Sequence, residues 1–183
     1  MAKSELRIID ELVKAAAEGD REAFTGIVRL MMNRVTALTY RMTGERESAR
    51  DLAQETFIAA WTNMHNFRSE AKFETWLYRI ATNKALNFLR QRKETVDVDT
   101  VEPVDTSTPE TEHRRAELRQ GMLDFMEQLP PGQRAVFELR FYKSLTFDEI
   151  AGATGKAVGT VKTHYREAVA KLRRLAIEKG WRE

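Results

Sequence analysis

The chain has 183 residues, 42% of them hydrophobic, with 30 basic and 28 acidic side chains. It has no cysteine, which excludes disulfide bonds, thiolate zinc sites and cysteine nucleophiles. Its histidines, His65, His113 and His164, lack the spacing of a zinc motif, and we expect no metal and no cofactor. The sequence has no run of eighteen apolar residues, so it predicts a soluble, cytoplasmic protein that does not enter a membrane.

Charge divides the chain into three segments. Residues 1–93 carry 16 basic and 12 acidic side chains, residues 94–112 carry seven acids and no base, and residues 113–183 carry 14 and 9. The middle segment also holds two prolines and lacks a helical period, which is typical of a flexible linker. A solubilising tether is the simpler interpretation of its charge. Mimicry of nucleic acid over basic surfaces is the alternative.

Two helices are predicted at the start of the chain. Apolar residues at helical spacing mark residues 5–18, and Gly19-Asp20 ends or caps that helix. A second apolar stripe continues to about Met42, where Thr43-Gly44 breaks the period. Both stripes are expected to form core.

The third predicted helix, about Glu47 to Met64, has two contrasting faces. One face is apolar, and the opposite face is formed by Asp51, Gln54, Glu55, Ile58 and Thr62. An aliphatic residue among carboxylates and an amide is typical of a docking surface. A stray surface isoleucine is the alternative on spacing alone.

A long helix is predicted from Phe73 to about Arg92. One side is apolar, and the other side carries Arg79, Thr82, Asn83, Asn87 and Arg90 around Leu86. Amides and arginines are the side chains that contact base edges and phosphates. Trp76 is assigned to the core, whereas Phe67 and Tyr78 could pack in the core or stack on single-stranded bases.

The last segment is predicted to end in a helix-turn-helix. A helix over residues 112–128 precedes another that begins near Pro131, whose missing N–H is not needed there. Thr146 and Glu149 form a capping box, and Gly155 suits a left-handed C-cap. The final helix has a basic, outward-facing side, which bears Lys162, Thr163, Arg166, Arg173 and Arg174. A DNA-binding helix is favoured over a merely solvated amphipathic one.

These motifs, in this order, resemble the bacterial RNA polymerase sigma factors of the extracytoplasmic-function (ECF) group, small relatives of sigma-70. The resemblance rests on five stretches, Asp51-Leu-Ala-Gln-Glu-Thr-Phe57, Phe73-x-x-Trp-Leu-Tyr-Arg-Ile-Ala-Thr-Asn-Lys-Ala-x-Asn87, Leu129-Pro-Pro-Gly-Gln-Arg134, Leu145-Thr-Phe-Asp-Glu-Ile-Ala151 and Val158-Gly-Thr-Val-Lys162. It implies an all-α fold with sigma region 2 over residues 1–93, an acidic linker over 94–112, and sigma region 4 with its helix-turn-helix over 113–183.

The resemblance also implies a role for each surface. Asp51, Gln54, Glu55 and Ile58 correspond to the family's docking site for the β′ clamp helices of core RNA polymerase, and region 4 is expected to meet the β flap. Contacts to the minus-10 promoter element are implied for Asn83, Asn87, Arg79, Thr82 and Phe67, with the loop 65–72 holding a flipped base. Contacts to the minus-35 element are implied for Lys162, Thr163, Arg166 and Glu167. An anti-sigma factor is a further implied partner.

Two departures from the family pattern stand out. Ser48 and Arg50 occupy positions where many relatives have acids, which weakens the acidic docking surface. Phosphorylation by a kinase would restore negative charge there, and the candidate hydroxyls are those of Ser48, Thr56 and Thr62. Glu167 stands where several relatives have arginine; its carboxylate could accept a hydrogen bond from cytosine or repel phosphate.

Two other functional classes compete with this interpretation. A helix-turn-helix activator of the response-regulator output type would explain residues 158–164, but not the docking stripe or the helix over 73–92. A hydrolase would need a clustered nucleophile, base and oxyanion site, which the sequence lacks. We therefore expect a transcription initiation factor with no enzymatic activity of its own.

Overall fold

The computed structural model describes residues 3–67, 71–95 and 110–181. Those residues form eight α-helices and no strand, which confirms the all-α prediction. Most of the predicted linker, residues 96–109, lies outside the described residues. The helices are α1 (Lys3–Ala17), α2 (Arg21–Thr43), α3 (Arg46–Thr62), α4 (Phe73–Thr95), α5 (Glu110–Glu127), α6 (Pro131–Phe137), α7 (Phe147–Thr154) and α8 (Val158–Glu178).

The predicted helix boundaries have local causes. The Asp20 carboxylate accepts hydrogen bonds from the N–H groups of Glu22 and Ala23 and so caps α2. Gly44 ends α2 at φ +77°, a left-handed conformation that a β-carbon would strain. At the start of α7, Thr146 and Glu149 form the predicted capping box.

In the N-terminal half, α1 to α4, the helices pack around α2. The inward face of α2 is fully buried and consists of Ile27, Met31, Val35, Leu38 and Met42. The predicted apolar face of α3 and the core residues Phe73, Leu77 and Ala81 of α4 are buried as well. The stripes expected to form core therefore do so.

The C-terminal half, α5 to α8, has a small core of its own around Phe125, Met126, Leu129, Phe137 and Ala168. Pro131 is the first residue of α6, as predicted. A π-helical segment, Glu138–Tyr142, continues directly from α6 and leads to α7. The wider turn of a π-helix rotates its side chains relative to α6.

The two halves also share core, which the sequence did not predict. Ala135, Val136, Leu139, Leu145 and Ile150 belong to the same buried cluster as the core residues of α2 and α4. Helix α4 packs against α7, and α2 packs against α5. In this conformation the two halves therefore pack directly against each other.

Candidate nucleic-acid and polymerase-docking surfaces

The predicted minus-35 surface lies on the outer face of α8. Lys162 and Arg166 are exposed, and Thr163 between them is half-buried. Val161 and Ala168 face inward and are fully buried. The N-cap residue, Ala157, makes no side-chain capping bond, so the first-turn N–H groups have no side-chain acceptor there. The face is cationic and open to solvent, as a phosphate-binding surface requires.

Glu167 has a hydrogen-bond partner within the same chain. Its carboxylate accepts a hydrogen bond of 2.6 Å from the side-chain amide of Gln133, on α6. Lys171 donates to the other end of the same amide at 3.1 Å. Glu167 therefore ties α8 to α6 through Gln133, an internal role that sequence spacing did not reveal.

The predicted minus-10 residues of α4 fall into two groups. Arg79 and Asn87 are exposed and Asn83 is half-buried, and the Asn87 side chain accepts a 2.7 Å hydrogen bond from Arg90. Thr82 is fully buried, so its prediction as a DNA contact is wrong for this conformation. The three polar residues that remain accessible form a strip along α4.

Phe67, the remaining minus-10 candidate, belongs to an aromatic cluster. Its ring centroid lies 5.6 Å from that of Phe73 and 5.2 Å from that of Trp76. Trp76 packs against the core, as predicted. Tyr78 is buried as well, so it packs in the core and does not stack on bases in this conformation. Phe67 is half-buried, and residues 68–70 of the predicted base-holding loop lie outside the described residues.

The predicted docking stripe of α3 is solvent-facing. Asp51, Gln54 and Glu55 are exposed, and Ile58 is 66% exposed. Lys84 of α4 forms a 2.8 Å ion pair with Glu55. Beside Ile58 lies an apolar groove of about 390 Å³, lined by Arg21, Phe24, Thr25, Phe57, Ile58 and Trp61. Ile58 is thus part of an apolar surface, which disfavours the alternative of a stray isoleucine.

The three candidate phosphorylation sites differ in accessibility. Thr56 is fully buried, and its hydroxyl donates to the carbonyl of Leu52 at 2.6 Å. Its prediction is wrong, because no kinase can reach it in this fold. Ser48 is half-buried and donates to Glu45 at 2.7 Å, whereas Thr62 is exposed and donates to the carbonyl of Ile58. Ala53 and Ala60 lie three and four residues from Thr56 and belong to the apolar face of α3. Helical spacing therefore already placed Thr56 on the inner face of that helix.

Sequence reasoning missed a set of charged residues between the two halves. Arg41 and Glu138 form an ion pair of 2.7 Å, and Glu138 is fully buried. Burial alone would lower the pKa of Arg41, but the hydrogen bond and charge of Glu138 outweigh it and raise that pKa. Arg134, the last residue of the Leu-Pro-Pro-Gly-Gln-Arg motif, is 7% exposed, and burial lowers its pKa.

Lys143 and Tyr78 meet at the same boundary. The Lys143 ammonium lies 4.6 Å from the centroid of the Tyr78 ring. Burial lowers the pKa of Lys143 to about 8 and raises the pKa of Tyr78 to about 12. Both shifts have the same cause, since a low-dielectric surrounding disfavours whichever form of a group is charged.

The described residues contain neither a metal-binding cluster nor a membrane-spanning helix. No group of three or more histidine, aspartate or glutamate side chains there could hold a metal ion. Every helix within the same ranges is too short or too polar to cross a bilayer.

Family models match both halves of the chain. The model described as Sigma-70 region 2 matches residues 27–95. The model described as Sigma-70, region 4 matches residues 119–172. The first match includes α3 and α4, and the second includes the helix-turn-helix of α7 and α8.

Several curated proteins are similar over most of their length. The ECF RNA polymerase sigma factor SigW of Bacillus subtilis is 32% identical over 91% of this chain and 96% of its own. The RNA polymerase sigma-H factor of Pseudomonas aeruginosa is 34% identical over 88% of this chain and 91% of its own. The ECF sigma-E factor of Escherichia coli K12 is 34% identical, covering 86% and 90%.

Solved structures show the same fold. CnrH in complex with the cytosolic domain of CnrY superposes with a TM-score of 0.69 at 24% identity, covering 93% of this chain and 98% of that one. RpoE of Bartonella quintana in complex with the anti-sigma factor NepR gives 0.67 at 21% identity, covering 83% and 95%. Together with the matches to regions 2 and 4 and the curated relatives, this likeness shows that the chain belongs to the ECF RNA polymerase sigma factors of the sigma-70 family.

Proposed function

We propose that this sigma factor reads two promoter elements with separate surfaces and docks on core RNA polymerase with a third. The exposed stripe of α3 contacts the polymerase, the outer strip of α4 contacts the minus-10 element, and the outer face of α8 contacts the minus-35 element. The observation that carries the proposal is the exposed Ile58 beside an apolar groove. A DNA-binding activator that acts without docking on polymerase would not need this exposed apolar surface.

The α3 stripe suits the β′ clamp helices because it combines charge with an apolar centre. Exposed apolar surface of this kind contributes affinity when a partner removes it from water, and the surrounding polar residues give orientation. Asp51 and Gln54 supply that polar rim. Glu55 is held by Lys84, so part of its charge is neutralised before any partner arrives.

On α8, Lys162, Thr163 and Arg166 are proposed to enter the major groove. Arginine donates two hydrogen bonds to guanine, and a threonine methyl can contact thymine. Glu167 is proposed to keep its bond to Gln133 rather than to contact a base. That bond links α8 to α6 one residue away from Arg166.

On α4, Arg79, Asn83 and Asn87 are proposed to contact the separated minus-10 strands. Extruding a base from the duplex costs a few kcal/mol, so melting must be coupled to capture of the base by the protein. Phe67 is anchored by its ring contacts with Phe73 and Trp76.

The proposal includes further partners. The C-terminal half is proposed to contact the β flap, and an anti-sigma factor is proposed as a regulator because RpoE was solved with the anti-sigma factor NepR. Phosphorylation of Ser48 or Thr62 by a kinase is proposed as well. The factor acts in the cytoplasm and has no catalytic activity, because the polymerase performs the chemistry.

Run-off transcription from a randomised promoter library tests this function. Core polymerase is incubated with the library, with and without the purified chain, and the transcripts are sequenced. The proposal expects transcripts that depend on the chain and start downstream of two recurring sequence elements. Binding of the chain to DNA with no effect on transcription by core polymerase would instead favour an activator.

A further inference from the structure

The side-chain amide of Gln133, on α6, joins two charged residues of α8. Its nitrogen donates to a carboxylate oxygen of Glu167 at 2.6 Å, and its oxygen accepts from the ammonium of Lys171 at 3.1 Å. An ammonium only donates hydrogen bonds and an ionised carboxylate only accepts them, so both neighbours require the same orientation of the amide. The three side chains therefore form one continuous chain of hydrogen bonds, with the carboxylate at one end and the ammonium at the other.

Glu167 lies at the edge of the outer face of α8. At about 100° per residue, it is about 100° from Arg166 around the helix and about 40° from both Thr163 and Lys171. Thr163 belongs to the proposed DNA surface, whereas Lys171 is on the side that meets α6. Glu167 is exposed and its side chain is long, so its carboxylate can reach toward either side. Its bond to Gln133 turns it toward α6.

The backbone that carries Gln133 is packed against α8. Gly132, the preceding residue, lies so near His164 that an added β-carbon would be 3.2 Å from Cε1 of that imidazole. Ala135 and Val136, later in α6, are fully buried. Because packing fixes the backbone on both sides of Gln133, its amide is presented to α8 without a further loss of backbone freedom.

A carboxylate on this edge of α8 is unfavourable for DNA binding unless it is directed elsewhere. DNA carries one negative charge per about 1.7 Å of helix axis, so a carboxylate that enters a groove is repelled by several phosphates. The hydrogen bond from Gln133 to Glu167 is short and charge-assisted, which makes it stronger than a bond between neutral groups. The Lys171 ammonium, at the other end of the amide, polarises the amide in the direction that strengthens this bond.

We propose that Gln133 is a positioning residue that holds the carboxylate of Glu167 off the minus-35 DNA and so leaves recognition to Lys162, Thr163 and Arg166. This inference rests on the DNA-binding role proposed above for α8 and concerns its specificity. Without the amide, the carboxylate is free to turn toward Thr163 and the groove. There it repels phosphates and can accept a hydrogen bond only from a base amine such as N4 of cytosine, so both affinity and base preference change.

A purely structural link between α6 and α8 would use the same three hydrogen bonding groups, and a double-mutant cycle separates the two roles. If Gln133 only joins the helices, its loss has the same effect on DNA binding whether or not residue 167 is a carboxylate. If Gln133 restrains the charge of Glu167, that effect disappears once the carboxylate has been removed. The cycle measures this difference as a coupling between the two positions.

The test uses holoenzyme assembled from core polymerase and each full-length chain. Gln133→Leu removes the amide at nearly constant volume, and Gln133→Ala removes it without adding bulk. Each is made alone and together with Glu167→Ala. Gln120→Leu is the matched control, because the Gln120 amide donates to the Asp124 carboxylate at 2.8 Å within α5. Competition between a preferred promoter and its single-base variants in the minus-35 element gives relative affinities, and circular dichroism and urea denaturation check the fold.

Gln133→Leu and Gln133→Ala are expected to lower affinity for the preferred promoter about three- to tenfold, as one unfavourable charge contact does. The loss should be larger at low salt, where phosphate charge is less screened. Adding Glu167→Ala should restore affinity to within about twofold of the unsubstituted chain, the usual limit of additivity. Glu167→Ala alone and Gln120→Leu should leave affinity unchanged. The base preference should change at one minus-35 position only when Gln133 is lost and Glu167 is present.

Two results would overturn the positioning role. One is unchanged affinity and base preference in both Gln133 variants. The other is a loss of affinity that Glu167→Ala does not relieve, which would make Gln133 a structural link. If holoenzyme with the unsubstituted chain prefers no minus-35 sequence, the proposed function fails and this inference fails with it. A clear minus-35 preference that the Gln133 variants leave intact rejects the positioning role alone.

Discussion

Among single residues, Arg166 carries the clearest prediction for DNA recognition. It is exposed on the outer face of α8, next to Glu167, whose carboxylate accepts a hydrogen bond from Gln133. Arg166→Ala should weaken binding to the preferred minus-35 duplex by about 1–3 kcal/mol and relax the preference at one base pair. Fluorescence anisotropy with single-base variants of the duplex measures both effects.

Arg173→Ala is the control for this prediction, since Arg173 is also exposed on α8 but lies two turns further from the helix start. It should weaken binding to all duplexes about equally, or not at all. An equal loss on every duplex for Arg166→Ala would reassign Arg166 to a phosphate contact.

Ile58 carries the prediction for polymerase docking. Ile58→Asp places a charge on the apolar groove of α3 and should reduce affinity for core polymerase at least tenfold, because the charge must be desolvated on docking. Ile177→Asp is a matched control, since Ile177 is 60% exposed and Ile58 is 66% exposed. Titration of labelled chain with core polymerase compares the two. Equal affinities of both variants for core polymerase would show that Ile58 is not part of the docking surface.

At the scale of the helices, the capping box of α7 makes a testable contribution to stability. Thr146→Ala removes the acceptor for the N–H of Glu149 and should lower the free energy of unfolding by about 1 kcal/mol. Thr25→Ala is the control, because Thr25 is exposed and its hydroxyl donates only to the carbonyl of Arg21 in its own helix. Urea denaturation measures both. A loss no larger than that of Thr25→Ala would show that the box adds nothing to stability.

Individual helices could be predicted from sequence because their signals are local. Asp20, Gly44 and the Thr146–Glu149 pair act within a few residues of the boundaries they set. The partners of those helices could not be predicted, since Arg41 and Glu138 are 97 residues apart and no short pattern links them. The burial of Thr82 was missed for the same reason, because it depends on which helix lies opposite α4.

The sequence predicts those features of the candidate site that depend only on which face of a helix a residue occupies. Spacing alone put Ile58 and Arg166 on outward faces, and both are exposed. The bond between Glu167 and Gln133 of α6 could not be predicted, because the sequence does not show that the two side chains lie within hydrogen-bond distance. Contacts between elements require the packing of the whole chain, which periodicity does not encode.

For the whole molecule, Lys143 predicts that stability depends on pH. Burial in the folded chain lowers its pKa to about 8, against an ordinary value of 10.5, with Glu138, Arg41 and Arg34 as its charged neighbours. The charged form therefore opposes folding below about pH 8, and this opposition fades as the pH rises toward 10.5. The folding equilibrium constant should rise with pH in this range, by at most about tenfold per unit.

Tyr78 sets the upper pH limit of that test. The pKa of Tyr78 is raised to about 12 from 10.0 by burial, so above pH 10 its ionisation favours the unfolded state. The free energy of unfolding, measured by urea denaturation from pH 7 to 10, should increase in the unsubstituted chain. Lys143→Met should abolish that dependence. A decrease of the free energy of unfolding over this range would contradict the assigned environment of Lys143.

This one chain is proposed to read two promoter elements with two different helices. Sequencing transcripts made by core polymerase from a randomised promoter library, with the unsubstituted chain, Arg166→Ala or Asn83→Ala, tests it most directly. Two conserved elements are expected, with Arg166→Ala relaxing only the upstream one and Asn83→Ala relaxing only the downstream one. A single conserved element, or loss of both preferences in either variant, would contradict it.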